Sequence, residues 1–328
     1  MRSWTIRLTA ATGVVAFWIA FSPAQPAAKT WYKGNLHTHT LNSDGDSPPA
    51  DVAAWYKNHD YRFLVLSDHN VLTDVAPLNE TLAAPGRFLL ISGEEVTDRF
   101  GERPVHINGF GMDKVVKPSG GASLVPTIQG NVDAIRAASA LPSVNHPNFR
   151  WAFSSKELLG IENLRLFEVH NGHPQVNNRG GGGAESLEEM WDTLLTAGRR
   201  IHGVAVDDAH HFKKIGKEYS NPGRGWVVVR AAELSASAIL GALERGDFYA
   251  STGVELRDVQ AAGREMHVTI QASPTAKYTT WFIGEGGKVL AKSFDNEAVY
   301  RLQENDKYVR AVVRSSNGDD AWTQPLFR

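Results

Sequence analysis

Six histidines, two of them with an acid one or two residues before, stand at the ends of short apolar runs: His37-Thr38-His39, Asp68-His69, the lone His106 and His146, and Asp208-Ala209-His210. Imidazole nitrogen and carboxylate oxygen are the ligands that Zn²⁺, Mn²⁺ and Fe²⁺ favour. A strand turns side chains to one face only at alternate positions, and His37/His39 and Asp208/His210 have that spacing. Asp68 and His69 leave the apolar run Phe63–Ser67, where an ionisable pair is costly unless bonded or metal-bound. Glu94-Glu95 follows Leu89–Gly93; adjacent residues point to opposite faces, so at most one of the two faces a shared site. Asp44-Gly45 reads by itself as a turn. Jointly these residues predict a multi-metal pocket at one rim of a barrel.

The positioning elements alternate between strand-like and helix-like runs. Strands are expected at 34–39, 63–67, 88–92, 106–110, 141–145, 164–169, 202–206, 226–230 and 248–251, and helices at 48–59, 131–140, 184–197 and 235–245. Repeated β-then-α units predict an α/β fold with a mostly parallel sheet, and polar clusters at strand ends favour a barrel over an open sheet. From about Asp258 short alternating runs, broken by turns such as Gly284–Gly287 and Asn317-Gly318, predict a small antiparallel β-appendage.

Composition bounds the rest. A chain of 328 residues holds one large domain and a small second one, and a net charge of −2 calls for neither nucleic acid nor an anionic membrane. The absence of cysteine excludes thiol catalysis, disulfides and lipidation at a cysteine. Residues 1–28 read as an export signal: two early arginines, a short apolar run over Leu8–Phe21, then small residues ending near Ala27 or Ala28. That run is shorter than the ~20 residues that span a bilayer. The expected organisation is a signal at 1–28, a barrel at 29–257 and a β-rich domain at 258–328, with the protein exported to the periplasm or beyond. Oligomeric state is left open.

The order His37-x-His39, Asp44-Gly45, Asp68-His69, Gly93-Glu94-Glu95, His106, His146-Pro147, Asp208-x-His210 resembles the PHP (polymerase and histidinol phosphatase) superfamily, over roughly residues 33–255. The signal, the Gly246–Gly253 stretch and the β-rich tail are similar to those of an exported subgroup that includes a carbamate ester (carbaryl) hydrolase. The resemblance implies a distorted (β/α)7 barrel with two or three divalent ions (Zn, Mn or Fe) at its C-terminal rim. It implies His37, His39, Glu95 and Asp208 around a first ion, and Glu95 bridging to a second held by His106 and His146. Asp44, His69 and His210 would hold a third; some relatives have histidine where Asp44 stands. Asp208, Glu95 and Asp68 are the acids expected at the reaction centre, Asp68 by orienting a ligand imidazole.

Two chemistries follow, both by metal-bridging hydroxide: hydrolysis of a phosphate ester, or of a carboxyl or carbamate ester. A non-catalytic exported metal-binding protein is the third reading. Arg99 and Arg103 are candidates for holding an anionic substrate, and His170 and His173 for lining its pocket. Trp151, Phe153 and Phe212, close in sequence to His146 and His210, would favour a neutral ester. Gly180–Gly183 lacks the Lys-Ser/Thr of a phosphate loop and reads as a lid or linker.

Overall fold

The computed structural model describes Met1 and residues 29–328, so the expected export signal lies outside the described residues. Seven strands form the scaffold: β1 (Thr30–Asn35), β2 (Phe63–Leu66), β3 (Leu89–Phe100), β4 (Arg103–Phe110), β5 (Leu141–Val144), β6 (Leu166–Asn171) and β7 (His202–Val206). They neighbour one another in chain order. The pairs β1–β2, β2–β3, β5–β6 and β6–β7 are parallel. The circle closes at one rim, where a parallel bridge joins Thr38 to Ala209 and the backbone N–H groups of Asp208 and His39 donate to the carbonyls of His37 and Ala209. Strand interiors are apolar on both faces (Phe63–Leu66 is buried throughout), as a parallel sheet covered by helices requires.

The expectation of uniform β-then-α units fails between β3 and β4. These two strands form an antiparallel hairpin turning at Gly101-Glu102, and β4 also runs antiparallel to β5. A two-residue connection leaves no room for a crossover helix. Since β4 runs back toward the opposite end, His106 sits near its start, not its end, and still reaches the same rim.

The helices are α1 (Pro49–Asn58), α2 (Ala76–Leu82), α3 (Leu124–Ala137), α4 (Ser155–Leu158), α5 (Leu187–Thr196) and α6 (Ala236–Arg245). Helix α3 begins seven residues before the expected start at 131; Pro126 lies in its first turn, where a missing N–H costs nothing. Among the described residues no helix is long and apolar enough to cross a membrane.

Strands β8 (Trp226–Ala231) and β9 (Phe248–Ser251) extend the sheet outward from β1. The tail supplies β10 (Leu256–Ala262), β11 (Glu265–Ile270), β12 (Tyr278–Ile283), β13 (Val289–Ser293), β14 (Glu297–Arg301), β15 (Tyr308–Ser315), β16 (Asp320–Thr323) and β17 (Leu326–Phe327). β16 pairs with β9, so the sheet runs on without a break through β16, β15, β12 and β13. The three-stranded sheet β10–β11–β14 packs on it through Met266, Val268, Ile270, Phe282, Val309 and Val313. Two polar anchors fasten tail to barrel: Arg310 forms a buried ion pair with Asp192 on α5, and the Gln324 amide bonds both backbone groups of Gly203 at 2.9 Å.

Candidate metal centre

Every residue expected as a ligand arrives at the rim where the barrel closes. The stretch after β1 presents His37 and His39 from one side, both wholly buried. Their Nε2 atoms lie 3.1 Å apart. Glu95 on β3 and Asp208 after β7 complete a cage of donors: His37 Nε2 stands 3.2 Å from Glu95 Oε2 and 3.3 Å from Asp208 Oδ1, and His39 Nε2 stands 3.3 and 3.2 Å from the same oxygens. These five distances, 3.1–3.3 Å, match the ~3.2 Å spacing of donors around an ion with bonds of ~2.0 Å. His37, His39 and Asp208 are thus spaced for one divalent ion, as are His37, Glu95 and His146.

Two further groupings share these residues. Glu95 Oε1 faces His106 Nδ1 at 3.0 Å and His146 Nε2 at 3.3 Å. Asp44 reaches His210 Nε2 at 3.3 Å and His69 Nε2 at 3.6 Å from the exposed side, and the His39 and His210 rings stack at 4.1 Å. Glu95 Oε2 and His106 Nδ1 are buried and have no hydrogen-bond partner. Orphaned donor atoms at these spacings fit divalent metal ions.

The electrostatics say the same. Burial alone would raise the Glu95 and Asp208 carboxyls; the surrounding imidazoles outweigh it and hold both well below the ordinary carboxylate range. Burial and the neighbouring His210 push His39 down to about 4. His69, against the effect of burial, is held up at about 10 by Glu95 and Asp44. In the absence of cations, only protons on imidazole balance the clustered carboxylates.

The supporting shell contains what sequence reasoning missed. Glu168 Oε1 accepts from His37 Nδ1 at 2.7 Å, which leaves the Nε2 lone pair for the cage. Its Oε2 accepts from the His146 backbone N–H at 2.8 Å and from Asn171 Nδ2 at 2.9 Å, and Asn171 also donates to Asp208 Oδ2. Asn145 Nδ2 donates to Glu95 Oε1 at 2.8 Å. A carboxylate inside the apolar run Leu166–Val169 was the available signal for Glu168. Asp68, by contrast, bonds no imidazole. It accepts from the Thr40 backbone N–H and the hydroxyls of Thr40, Ser43 and Thr73, and so shapes the loop that carries Asp44. Of Glu94-Glu95 only Glu95 enters the site; Glu94 Oε2 accepts from the Val116 N–H behind the strand.

The expected substrate residues divide. His173 borders the centre, its ring 5.5 Å from that of His210. His170 stacks on Trp322 of the tail at 5.9 Å instead. Arg99 shares the Glu95 face of β3 but lies four residues on, ~13 Å along the exposed hairpin. Arg103 pairs with Phe100 and falls on the other face with Val105, so the structure does not bring it to the site. Phe153 is in the barrel core, Phe212 packs edge-on against Trp55 and Tyr56, and Trp151 is exposed. The aromatic wall is Phe149, whose ring lies 5.3 Å from His146 and 6.0 Å from His173, with the Arg150 guanidinium over it at 5.4 Å.

No protein-family model and no curated protein matches this sequence. Solved structures do. A two-domain protein from Bacteroides vulgatus, described as containing a predicted PHP-like metal-dependent phosphoesterase, superposes with a TM-score of 0.52 at 16% identity over 88% of this chain and 92% of its own. A candidate metal-dependent phosphoesterase from Bifidobacterium adolescentis gives 0.42 at 14% identity over 57% and 89%. An amidohydrolase from Chromobacterium violaceum gives 0.38 at 16% identity over 55% and 88%. The chain therefore shares the fold of the two-domain Bacteroides protein over most of its length.

Proposed function

We propose that this chain is a metal-dependent hydrolase whose substrate is a phosphate ester. The observation that supports it is the set of overlapping donor groups at one rim: His37, His39 and Asp208; His37, Glu95 and His146; His69, Glu95 and His106; and His39, Asp44, His69 and His210. Divalent cations there would supply an activated water and Lewis-acid polarisation of the ester. The chain's own part is to hold, orient and leave open. Glu168 and Asn171 fix the ligand geometry. Asp44, Glu95 and Asp208 bring three negative charges, so two divalent ions would leave the centre at a net charge of about +1 and three at about +3. A phosphate dianion is attracted by such a centre without arginine, and among the described residues no lysine or arginine pairs with the cluster. No cysteine is present, and no protein nucleophile is required.

One observation favours a second reading. The Phe149 ring beside His146 offers an apolar wall suited to a neutral carboxyl or carbamate ester, and the likeness of the sequence to the exported carbamate ester hydrolases points the same way. The assay uses 4-nitrophenyl phosphate and 4-nitrophenyl acetate on protein stripped by chelator and reloaded with Mn²⁺ or Zn²⁺. Phosphate turnover lost on chelation and restored by metal is the expected result. Turnover of acetate alone would shift the assignment to the second reading. Protein that retains metal and is inert to both is a binding protein, and the proposal is then wrong.

A further inference from the structure

Beside the candidate metal centre, the barrel rim and the tail line a cleft of about 920 Å³ that is open to solvent. His173 and Asn171 form its boundary with the centre: the His173 ring faces His210, and Asn171 bonds Asp208. At the other side the cavity is walled by Trp322 of β16, on which the His170 ring stacks with an interplanar angle of 23°. Trp322 is 3% exposed, and its Nε1–H, a buried donor, has no partner. A buried indole N–H without an acceptor is costly and marks a place where an acceptor is missing.

The charges on the wall can be sorted by what they already hold. Arg314 is paired with Asp320, and Glu188 with Arg310. Arg224 is spent on the carbonyls of Gly172 and Gly216 and on Asn221. Arg179 forms no ion pair among the described residues, and Asp319 is the one wall carboxylate left without a cation partner there. Arg179, Arg224 and Arg314 are matched in number by Glu188, Asp319 and Asp320, so the wall is neutral overall, and Arg179 is its one cation without a bonding partner among the described residues.

We propose that this cavity binds the part of the substrate remote from the scissile bond, and that it takes a flat aromatic group carrying a carboxylate or similar acceptor. The ring lies against His170 and Trp322, and the acceptor meets Trp322 Nε1–H and Arg179. The assignment of this ligand as part of a substrate rests on the hydrolase reading above; the ligand preference itself does not. The tail thereby takes part in recognition, because its strand β16 supplies one wall of the cavity.

The test is a titration of the full chain with three probes, benzoate, cyclohexanecarboxylate and benzylamine, followed by the indole N–H resonances of its nine tryptophans. The Trp322 signal is identified by its loss in Trp322→Phe. Benzoate should shift that signal and bind more tightly than the non-planar acid or the amine. Arg179→Gln, an exposed position, should weaken benzoate at least ~tenfold, the scale of one charge-assisted contact. An unmoved Trp322 signal, equal binding of the three probes, or preference for the amine would overturn the proposal. In turnover assays, Arg179→Gln should erase a preference for aryl-acid esters over alkyl ones. If that preference is unchanged while hydrolysis proceeds, the cavity assignment fails and the hydrolase reading survives. If benzoate binds as described but no ester of either class is hydrolysed, the hydrolase reading fails and the cavity's ligand preference stands.

Discussion

Glu168→Gln isolates the contribution of a residue that touches no ion yet governs three ligands. The native carboxylate accepts from His37 Nδ1 at 2.7 Å through one oxygen, and from the His146 N–H at 2.8 Å and Asn171 Nδ2 at 2.9 Å through the other. The amide has the same shape but only one accepting atom. With its oxygen toward His37, its NH₂ confronts two donors. With its oxygen toward His146, the NH₂ confronts His37 Nδ1, and the imidazole must move its proton to Nε2, closing the lone pair that faces the cage. The first arrangement strands buried donors, at about 1–3 kcal/mol, and the second closes the lone pair a metal ion would use. Metal affinity should fall ~10–100-fold, equivalent to about 1.4–2.7 kcal/mol. Competition against a chromophoric chelator measures the affinity, with circular dichroism to show that the barrel is intact. Glu94→Gln is the control: an adjacent buried acid whose single hydrogen bond goes to Val116 and to no ligand, so its affinity should match wild type. Glu168→Gln with unchanged affinity, or the two variants losing metal alike, would refute the argument.

His37→Ala and Asp208→Ala should each lose metal and turnover while keeping most of the fold; a wild-type metal content by elemental analysis in either would break their assignment as ligands. Asp192→Ala leaves Arg310, bonded to it twice at 2.7 Å, with only the partly exposed Glu188 to balance its buried charge, and should cost up to ~3–5 kcal/mol in urea unfolding without changing the number of ions bound. His202, far from the centre at the start of β7, is pushed down to about 4 by burial and by Arg165 and Arg200. The unfolded chain then binds the extra proton between pH ~6.5 and ~4, so stability falls as pH drops through that window. His202→Gln should flatten that acid slope, by at most ~3 kcal/mol less the screening at its partly exposed edge; an unchanged slope would place the acid sensitivity elsewhere.

The clustering of the candidate ligands was legible because chemistry constrains them twice. Histidine and acid are both costly at the end of an apolar strand, and i, i+2 spacing selects one face, so His37/His39 and Asp208/His210 left a local trace. Arg103 was misread because one residue of register decides which face a strand residue occupies, and the hairpin register is set by pairing with Phe100, not by local sequence. Phe149 escaped notice among other aromatics because what selects it is the sharp turn after His146, where Arg150 and Trp151 both take positive φ. The continuity of barrel and tail through β9 and β16 joins residues about seventy positions apart, and no short-range pattern records it.

Backbone conformation explains why the supporting shell is so fully bonded. His146 has φ 22° and Asp208 φ 51°, both in the region that side-chain-bearing residues avoid. Each lies two residues past the end of a strand, where the chain must turn sharply to swing a candidate ligand inward instead of continuing the alternation. Such conformations cost about 1–3 kcal/mol apiece and persist only where surrounding bonds over-determine them. Both residues are tied to the same device: the His146 N–H to Glu168, the Asp208 carboxylate to Asn171, and Asn171 to Glu168. The Asp208 backbone is held again by its N–H to the His37 carbonyl, across the seam that closes the barrel. Closure of the barrel and assembly of the cage are therefore one event, and a chain that fails to join β1 to β7 at Thr38–Ala209 would lose the site along with the seam.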